Sequence, residues 1–194
     1  MFQKQITKEE IYELPLKAFD GEVVVIDFHK DVDRVIPEIM KETMLGFDTE
    51  TKPSFKKGRS NNNSVSLLQL ASAEKAWLFR LNTIGFHSSL AKVLNNENIL
   101  KIGVAIHDDI KILKALHNFE DRGFIDLQHH VKNFGITSMG LKKLTAIVLN
   151  FRISKSQQLS NWENQSLSSG QIKYAATDAW TCLEIYKKLQ YMSN

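Results

Sequence analysis

Acidic residues in three short segments are the side chains of this chain best suited to chemistry. The first segment holds Asp48 and Glu50, the second holds Asp108 and Asp109, and the third holds Asp178. Carboxylate oxygens are hard ligands, and the chain has only one cysteine, so the favoured ions are Mg²⁺ or Mn²⁺ rather than zinc. We therefore predict a divalent-metal site assembled from residues that lie far apart in the sequence.

The first acidic pair lies in residues 44–50, whose pattern predicts a β-strand. Because alternate residues of a strand point to the same face, the carboxylates of Asp48 and Glu50 should project together. Two anions held side by side raise each other's pKa unless a cation lies between them. An exposed edge strand whose acids meet only water is the alternative that this spacing leaves open.

The second acidic pair lies at the start of a helical pattern, and the phase of that helix separates the two aspartates. Asp109 falls at the edge of the apolar stripe that contains Ile110 and Leu113. Asp108 faces away from this stripe, where it could cap the helix or lie on the surface. We therefore predict that Asp109 is the metal ligand of this segment.

The third segment lies in a long helical pattern over residues 168–189, in which Asp178 shares one stripe with Tyr174 and apolar residues. A carboxylate on an apolar face needs a partner, because burying an unpaired charge is costly. Metal ions would supply that partner, and a buried salt bridge to a lysine is the alternative. Tyr174, one turn earlier, would place a phenol beside whatever Asp178 binds.

The order of predicted elements indicates an α/β fold. Strand patterns at residues 44–50, 65–70 and 76–81 predict three neighbouring antiparallel strands, preceded by a βαβ-like opening that starts at residues 23–26. Helical patterns then alternate with short strands at residues 99–104 and 124–127, which is typical of parallel pairing. This order of elements, which gives a mixed sheet flanked by helices, is that of the ribonuclease-H-like fold, although the pattern alone also allows other mixed α/β architectures.

Composition sets the outer limits of the prediction. The 194 residues have 43% hydrophobic content and a net charge of +3, which fits one packed domain over residues 22–194 after an extension over residues 1–21. The start of the chain is polar and no apolar run is long enough for a membrane helix, so we expect a soluble cytoplasmic protein with no membrane partner. Lysines cluster in residues 52–64, either as a solvated loop or as a polyanion contact.

Together the three segments resemble the motifs of DEDD-superfamily 3′-5′ exonucleases, in the tyrosine branch that includes ribonuclease D and Werner-type exonuclease domains. The motifs are FDTET at residues 47–51, GVAIHDD at residues 103–109 and YAATDA at residues 174–179. The likeness extends over roughly residues 40–190. Each motif alone is of low specificity, but their order, spacing and Tyr-x-x-x-Asp ending are specific in combination. Asp108 is a departure, because Werner-type domains usually have a small residue at that position.

The resemblance implies an enzyme that releases nucleoside 5′-monophosphates from the 3′ ends of DNA or RNA. It assigns two Mg²⁺ or Mn²⁺ ions to the four acids and the positioning or activation of the attacking water to the tyrosine, which gives the catalytic set Asp48, Glu50, Asp109, Tyr174 and Asp178. For substrate contacts we predict Thr49, Lys56, Lys57, Leu68 and Trp162. Leu68 and Trp162 could stack on a terminal base or pack in the core. Lys142, Lys143 and Lys155 could line the nucleic-acid groove or remain solvated.

Two other functions stay open at this stage. One is a catalytically idle domain of the same fold that binds nucleic-acid ends, and the other is a phosphohydrolase of small nucleotides. The complete set of acids argues against an idle domain, because a binding module has no use for a costly carboxylate cluster. The lysines of residues 52–64 favour a polymeric substrate over a small nucleotide.

Overall fold

The computed structural model describes residues 2–51 and 64–193 of the chain. In chain order, the elements of these residues are α1 (Lys8–Glu13), β1 (Glu22–Ile26), α2 (His29–Ile39), β2 (Met44–Thr51), β3 (Val65–Ala71), β4 (Lys75–Phe79), α3 (Leu81–Ile84), α4 (Ser88–Asn95), β5 (Leu100–Gly103), α5 (His107–Leu116), β6 (Phe124–Asp126), α6 (Leu127–His130), a 3₁₀ turn (Val131–Phe134), α7 (Leu141–Leu149) and α8 (Ser169–Ser193). The ends of β2 to β6 differ from the predicted ends by at most two residues.

The strands form one six-stranded sheet in the order β1-β4-β3-β2-β5-β6. Strands β2, β3 and β4 are antiparallel neighbours, and β5 and β6 continue the sheet in parallel beside β2. The predicted antiparallel trio followed by parallel strands is therefore confirmed. Strand β1 pairs in parallel with β4, so the opening β1-α2-β2 unit connects two strands that are not neighbours.

Helices cover both faces of the sheet, which explains why every residue of the central strand β3 is buried. On one face α8 packs across β2, β3, β4 and β5. On the other face, residues of α2, α4 and α5 join an apolar cluster with Phe47 of β2 and Leu68 of β3. Each large side chain buried in such a cluster contributes roughly 1.5–3 kcal/mol. The sheet thus separates two layers, with α8 on one face and α2, α4 and α5 on the other.

Helix α8 begins with a capping box, as its sequence predicts. The hydroxyl of Ser168 accepts a hydrogen bond from the backbone N–H of Gln171 at 3.2 Å, and the Gln171 Oε1 accepts one from the Ser168 N–H at 3.0 Å. The Gln171 Nε2 also donates to the carbonyl of Asn161 at 3.1 Å, which ties the helix start to the preceding loop. Within residues 2–51 and 64–193, neither α8 nor any other helix combines the length and apolarity of a membrane span.

Residues before β1 pack against the rest of the molecule. Ile6, Ile11 and Phe19 are buried, and the Phe19 N–H donates to the hydroxyl of Thr177 in α8 at 3.0 Å. Leu16 also forms a β-bridge with Arg152. These contacts tie the N-terminal residues to α8 and to the loop that follows α7.

Candidate active site

Strand β2 presents its acidic residues to α8. Asp48 and Glu50 lie on one face of the strand, and Gly46 precedes them on the same face. A Cβ atom on Gly46 would lie 1.8 Å from the carbonyl oxygen of Ala179, so only glycine lets the backbones of β2 and α8 approach this closely. This close approach brings Asp178, the residue before Ala179, over the carboxylates of β2.

Three of the predicted ligands meet at this point. The ligand atoms of Asp48, Glu50 and Asp178 all lie within 4.8 Å of one another. Asp178 is only 2% exposed, and its Oδ1 is buried without a hydrogen-bond partner among the described residues. Three carboxylates at this spacing form an acidic triad that can bind a divalent metal ion.

Asp109 lies close to this triad but is not part of it. It is half-buried near the start of α5, and its carboxylate accepts a hydrogen bond from the hydroxyl of Thr49. Thr49 is on the opposite face of β2 from the triad, and Asp108 is exposed. As the helix phase predicted, Asp109 is more buried than Asp108. The contact between Thr49 and Asp109 was not predicted from the sequence.

The loop into α5 holds an unusual backbone conformation. Ala105 has a φ of 59°, in the left-handed region that residues with a side chain rarely adopt. The Ala105 N–H donates to the Oδ1 of Asp126 at 3.0 Å, which fixes the turn between β5 and α5. This turn sets the direction of α5 and thus the position of Asp109.

Lys155 enters the site from the loop before α8. Its Nζ lies 3.0 Å from Asp178 Oδ2 and donates to the Tyr174 hydroxyl at 3.4 Å. The salt bridge that the sequence left open as an alternative partner for Asp178 is therefore present. The sequence suggested Lys155 only as a groove residue, because no periodic pattern connects a loop lysine with a helix residue 23 positions later.

One lysine does not balance the charge of the cluster. Burial, followed by the charges of Asp178 and Asp109, raises the pKa of Asp48 well above its usual range. Burial and the neighbouring Asp48 raise the pKa of Glu50 to about 9. Burial also raises the pKa of Asp178, although Lys155 acts in the opposite direction. The site therefore favours further positive charge.

Tyr174 lies beside the triad with its ring packed on Trp162, at 5.9 Å between ring centroids. Burial and then the charge of Asp178 raise the pKa of Tyr174 above its usual range. The phenol is therefore protonated at neutral pH and can orient a water or a phosphate oxygen by hydrogen bonding.

Two of the other predicted substrate residues lie in the core. Leu68 and Trp162 are both fully buried, so the structure gives them the core-packing role that the sequence allowed as an alternative. The predicted stacking of Leu68 or Trp162 on a terminal base is not supported, because neither side chain is exposed. Lys56 and Lys57 lie outside the described residues.

An open cavity of about 440 Å³ adjoins Tyr174 on the side of the N-terminal residues. It is lined by residues of three segments, namely Leu16, Lys17, Ala18, Ser154, Ser156, Gly170, Lys173, Tyr174 and Thr177. Two lysines and two serines give this lining positive charge and hydrogen-bond donors. The sequence could not predict the cavity, because it joins segments about 140 residues apart.

A 3′-5′ exonuclease family model matches residues 23–194 of the chain, a range that contains the whole site. The chain belongs to the 3′-5′ exonuclease family. The relatives of this exonuclease domain include the bifunctional 3′-5′ exonuclease/ATP-dependent helicase WRN of Mus musculus, with 31% identity over 96% of the chain, and an exonuclease mut-7 homolog of Aedes aegypti, with 28% identity over 90%. The chain spans 14% and 27% of the length of these two relatives.

Solved structures agree with the family assignment. The EXO domain of Aedes aegypti Nibbler has a TM-score of 0.78 and 27% identity, covering 91% of this chain and 94% of that one. Escherichia coli RNase D has a TM-score of 0.78 at 22% identity, covering 88% of this chain and 44% of that one. The exonuclease domain described here therefore has the ribonuclease-H-like fold of hydrolytic nucleases.

Proposed function

We propose that this chain is a metal-dependent 3′-5′ exonuclease that hydrolyses the last phosphodiester bond of a nucleic acid and releases nucleoside 5′-monophosphates. The observation that supports this most is the charge of the acidic triad. Three carboxylates lie within 4.8 Å, and Lys155 is the ammonium group that the described residues place against them. Since the pKa of Glu50 is raised even with Lys155 in place, additional cations should bind there.

The residues of the site fit two Mg²⁺ or Mn²⁺ ions. Their donor atoms are all oxygens, and the buried Asp178 Oδ1 lacks a hydrogen-bond partner among the described residues. Asp48, Glu50 and Asp178 would hold one ion, and Asp48 with Asp109 would hold the second. When bound, the two ions lower the pKa of a water and stabilise the negative charge on the departing 3′ oxygen.

The protein's own groups would orient the reaction. Lys155 donates to the Tyr174 hydroxyl at 3.4 Å, and the phenol can in turn donate its hydrogen to a water or a phosphate oxygen. The tyrosine would hold the attacking water in line with the phosphorus. Lys155 keeps the carboxylate of Asp178 in place and adds positive charge near the phosphate.

We further propose that residues 22–194 form the exonuclease domain and that residues of the preceding extension help to bind the strand. Leu16, Lys17 and Ala18 line the cavity beside Tyr174, and so does Lys173 of α8. Lysines in this position suit the phosphates of nucleotides upstream of the 3′ end. Such contacts predict strongly salt-dependent binding with little sequence preference.

The two alternative functions fit the site less well. An idle end-binding domain would not need three clustered carboxylates with raised pKa values. A phosphohydrolase of small nucleotides would use an enclosed pocket, whereas the cavity beside Tyr174 is open and no triad residue lines it. A polymeric substrate is therefore favoured.

The direct test uses 5′-labelled DNA and RNA, as single strands and with recessed ends, incubated with Mg²⁺, Mn²⁺ or EDTA. Asp178→Ala removes a triad carboxylate, and Asp108→Ala is the matched control because Asp108 is exposed. We expect a metal-dependent ladder that shortens from the 3′ end with the wild type and with Asp108→Ala, and none with Asp178→Ala. Intact strands in all conditions, with phosphate release from free nucleotides, would instead support the phosphohydrolase.

A further inference from the structure

Gln69 is a buried polar residue that the mechanism above does not use. It is 0% exposed at the centre of β3, and neither its Nε2 nor its Oε1 has a hydrogen-bond partner among the described residues. Buried amides almost always have partners, because an unpaired amide loses its hydrogen bonds to water. On the same face of β3, the residues on either side of Gln69 are the buried apolar Leu67 and Ala71. Gln69 therefore needs a specific explanation.

The register of the sheet places Gln69 beside the acidic triad. Gln69 pairs directly with Asp48 across the antiparallel β2–β3 ladder, and the next pair on the same face is Leu67 with Glu50. Side chains of directly opposed residues lie on the same face, with Cβ atoms about 4.5–5.5 Å apart. A glutamine can span that separation and reach the carboxylate of Asp48.

The residues around the amide are mostly apolar. On the other side Gln69 pairs with Leu78 of β4, and the buried cluster that includes Leu78 also contains Leu67, Trp162, Tyr174 and Ala175. The Trp162 Nε1 also lacks a hydrogen-bond partner among the described residues, but an indole N–H only donates and cannot accept from the Gln69 Nε2. The Asp178 Oδ1 is another buried polar atom without such a partner, so Gln69 and Asp178 both leave groups unsatisfied in the layer where β2, β3 and α8 meet.

We infer that Gln69 is a positioning residue, whose Nε2 donates a hydrogen bond to Asp48 when cations occupy the triad. The hydrogen bond fixes the orientation of the carboxylate, so that Asp48 presents its other oxygen to the metal ions. Partners of this kind hold metal ligands in the geometry that the ion needs, and their loss typically weakens metal binding. This inference rests on the proposed function, because it requires cations at the triad.

The test compares Mn²⁺ binding without nucleic acid, measured by electron paramagnetic resonance titration, in the wild type and in Gln69→Met. Methionine has similar length and volume but cannot donate a hydrogen bond. Leu67→Met is the matched control, because Leu67 is equally buried and lies opposite Glu50. We expect the Kd for Mn²⁺ to rise roughly 10- to 100-fold in Gln69→Met and to stay within about threefold in Leu67→Met.

Thermal unfolding in EDTA separates positioning from a structural role. We expect Gln69→Met to unfold at the same or a higher temperature than the wild type, since the substitution removes an unpaired buried amide. A lower unfolding temperature with an unchanged Kd would show a structural role and overturn the inference. If Gln69→Met does not fold, Gln69→Leu replaces it, and failure of both to fold would also overturn the inference. A wild type that binds no Mn²⁺ would overturn the proposed function as well.

Discussion

Two regions of the sheet bury charged side chains, and they satisfy those charges differently. On β5, Lys101 is fully buried, but its Nζ donates to the carbonyl of Asn96 at 2.7 Å and lies 5.0 Å from the ring centroid of Phe124. On β2 and α8, by contrast, Asp48, Glu50 and Asp178 bring negative charges together. A single buried ammonium can be hydrogen-bonded or can lose its proton, whereas a triad of carboxylates must take up protons or external cations.

The comparison shows that burial of a charge does not by itself indicate function. Burial lowers the pKa of Lys101 to about 8, and the same cause raises the pKa of Glu50 to about 9. What distinguishes the triad is that the charge of Asp178 helps to raise the pKa values of Asp48 and Glu50, and the charge of Asp48 helps to raise that of Glu50. The following substitutions test this difference, beginning with the largest expected effect.

Asp48→Asn should reduce cleavage below detection, because it removes a predicted ligand of both ions. The same change should stabilise the protein in EDTA by about 1–2 kcal/mol, because it relieves repulsion in the triad. Gel assays of strand shortening and urea unfolding measure the two effects on the same preparation. A variant that retains wild-type turnover would show that Asp48 is not an essential ligand.

Tyr174→Phe should slow cleavage by about 10²-fold while leaving Mn²⁺ binding unchanged, because the phenol orients the water and does not bind metal. Single-turnover rates with saturating Mn²⁺ measure the chemical step, and calorimetric titration measures the metal affinity. The ring and its contact with Trp162 remain in this variant, so folding should be unaffected. An undiminished rate would remove Tyr174 from the proposed mechanism.

The two regions should give opposite dependences of stability on pH in EDTA. The pKa of Glu50 is about 9 in the folded chain and 4.5 ordinarily, so between these values the folded state holds more protons and stability falls as pH rises. The pKa of Lys101 is about 8 in the folded chain and 10.5 ordinarily. Above pH 8 the unfolded state therefore holds more protons, and the contribution of Lys101 to stability rises with pH.

Urea unfolding of the wild type and Glu50→Gln between pH 5 and pH 9 measures the carboxylate contribution. As the pH rises across this range, we expect the free energy of unfolding of the wild type to fall relative to that of Glu50→Gln. Mn²⁺ should abolish this difference in pH dependence. Identical slopes for the two proteins in EDTA would show that the pKa of Glu50 is not raised.

Lys101→Met should have the smallest effect. Methionine can fill the same buried space, so we expect a change of less than about 1.5 kcal/mol in the free energy of unfolding at pH 7. Lys101→Met should cleave nucleic acid at the wild-type rate, because the ammonium group of Lys101 already has partners in the Asn96 carbonyl and the Phe124 ring. Loss of cleavage in a folded Lys101→Met would contradict the distinction between the two regions.

Local patterns in the sequence predicted the parts of the site that depend on one element. Strand alternation placed Asp48 and Glu50 on one face, and helix periodicity placed Tyr174 one turn from Asp178. The meeting of these two elements could not be derived from either pattern, because it depends on the close approach at Gly46. The family resemblance supplied that step for the prediction.

Contacts between distant residues account for what the sequence did not predict. Lys155 lies in a loop without periodicity, and Gln69 was part of a strand pattern that carries no information about its partner. Leu68 and Trp162 have apolar side chains that suit either a core or a binding surface, and the surrounding layers decide the choice. Likewise, β1 pairs with β4 because α2 crosses the sheet, which the order of elements leaves undetermined.

The central claim is that the acidic triad binds divalent cations in addition to Lys155. Isothermal titration calorimetry of the metal-free wild type with Mn²⁺, without nucleic acid, tests it most directly, with Asp178→Asn as the comparison. The account predicts saturable binding to the wild type, and at least tenfold weaker binding to Asp178→Asn. Absence of binding to a folded wild type, or equal binding to both proteins, would contradict it.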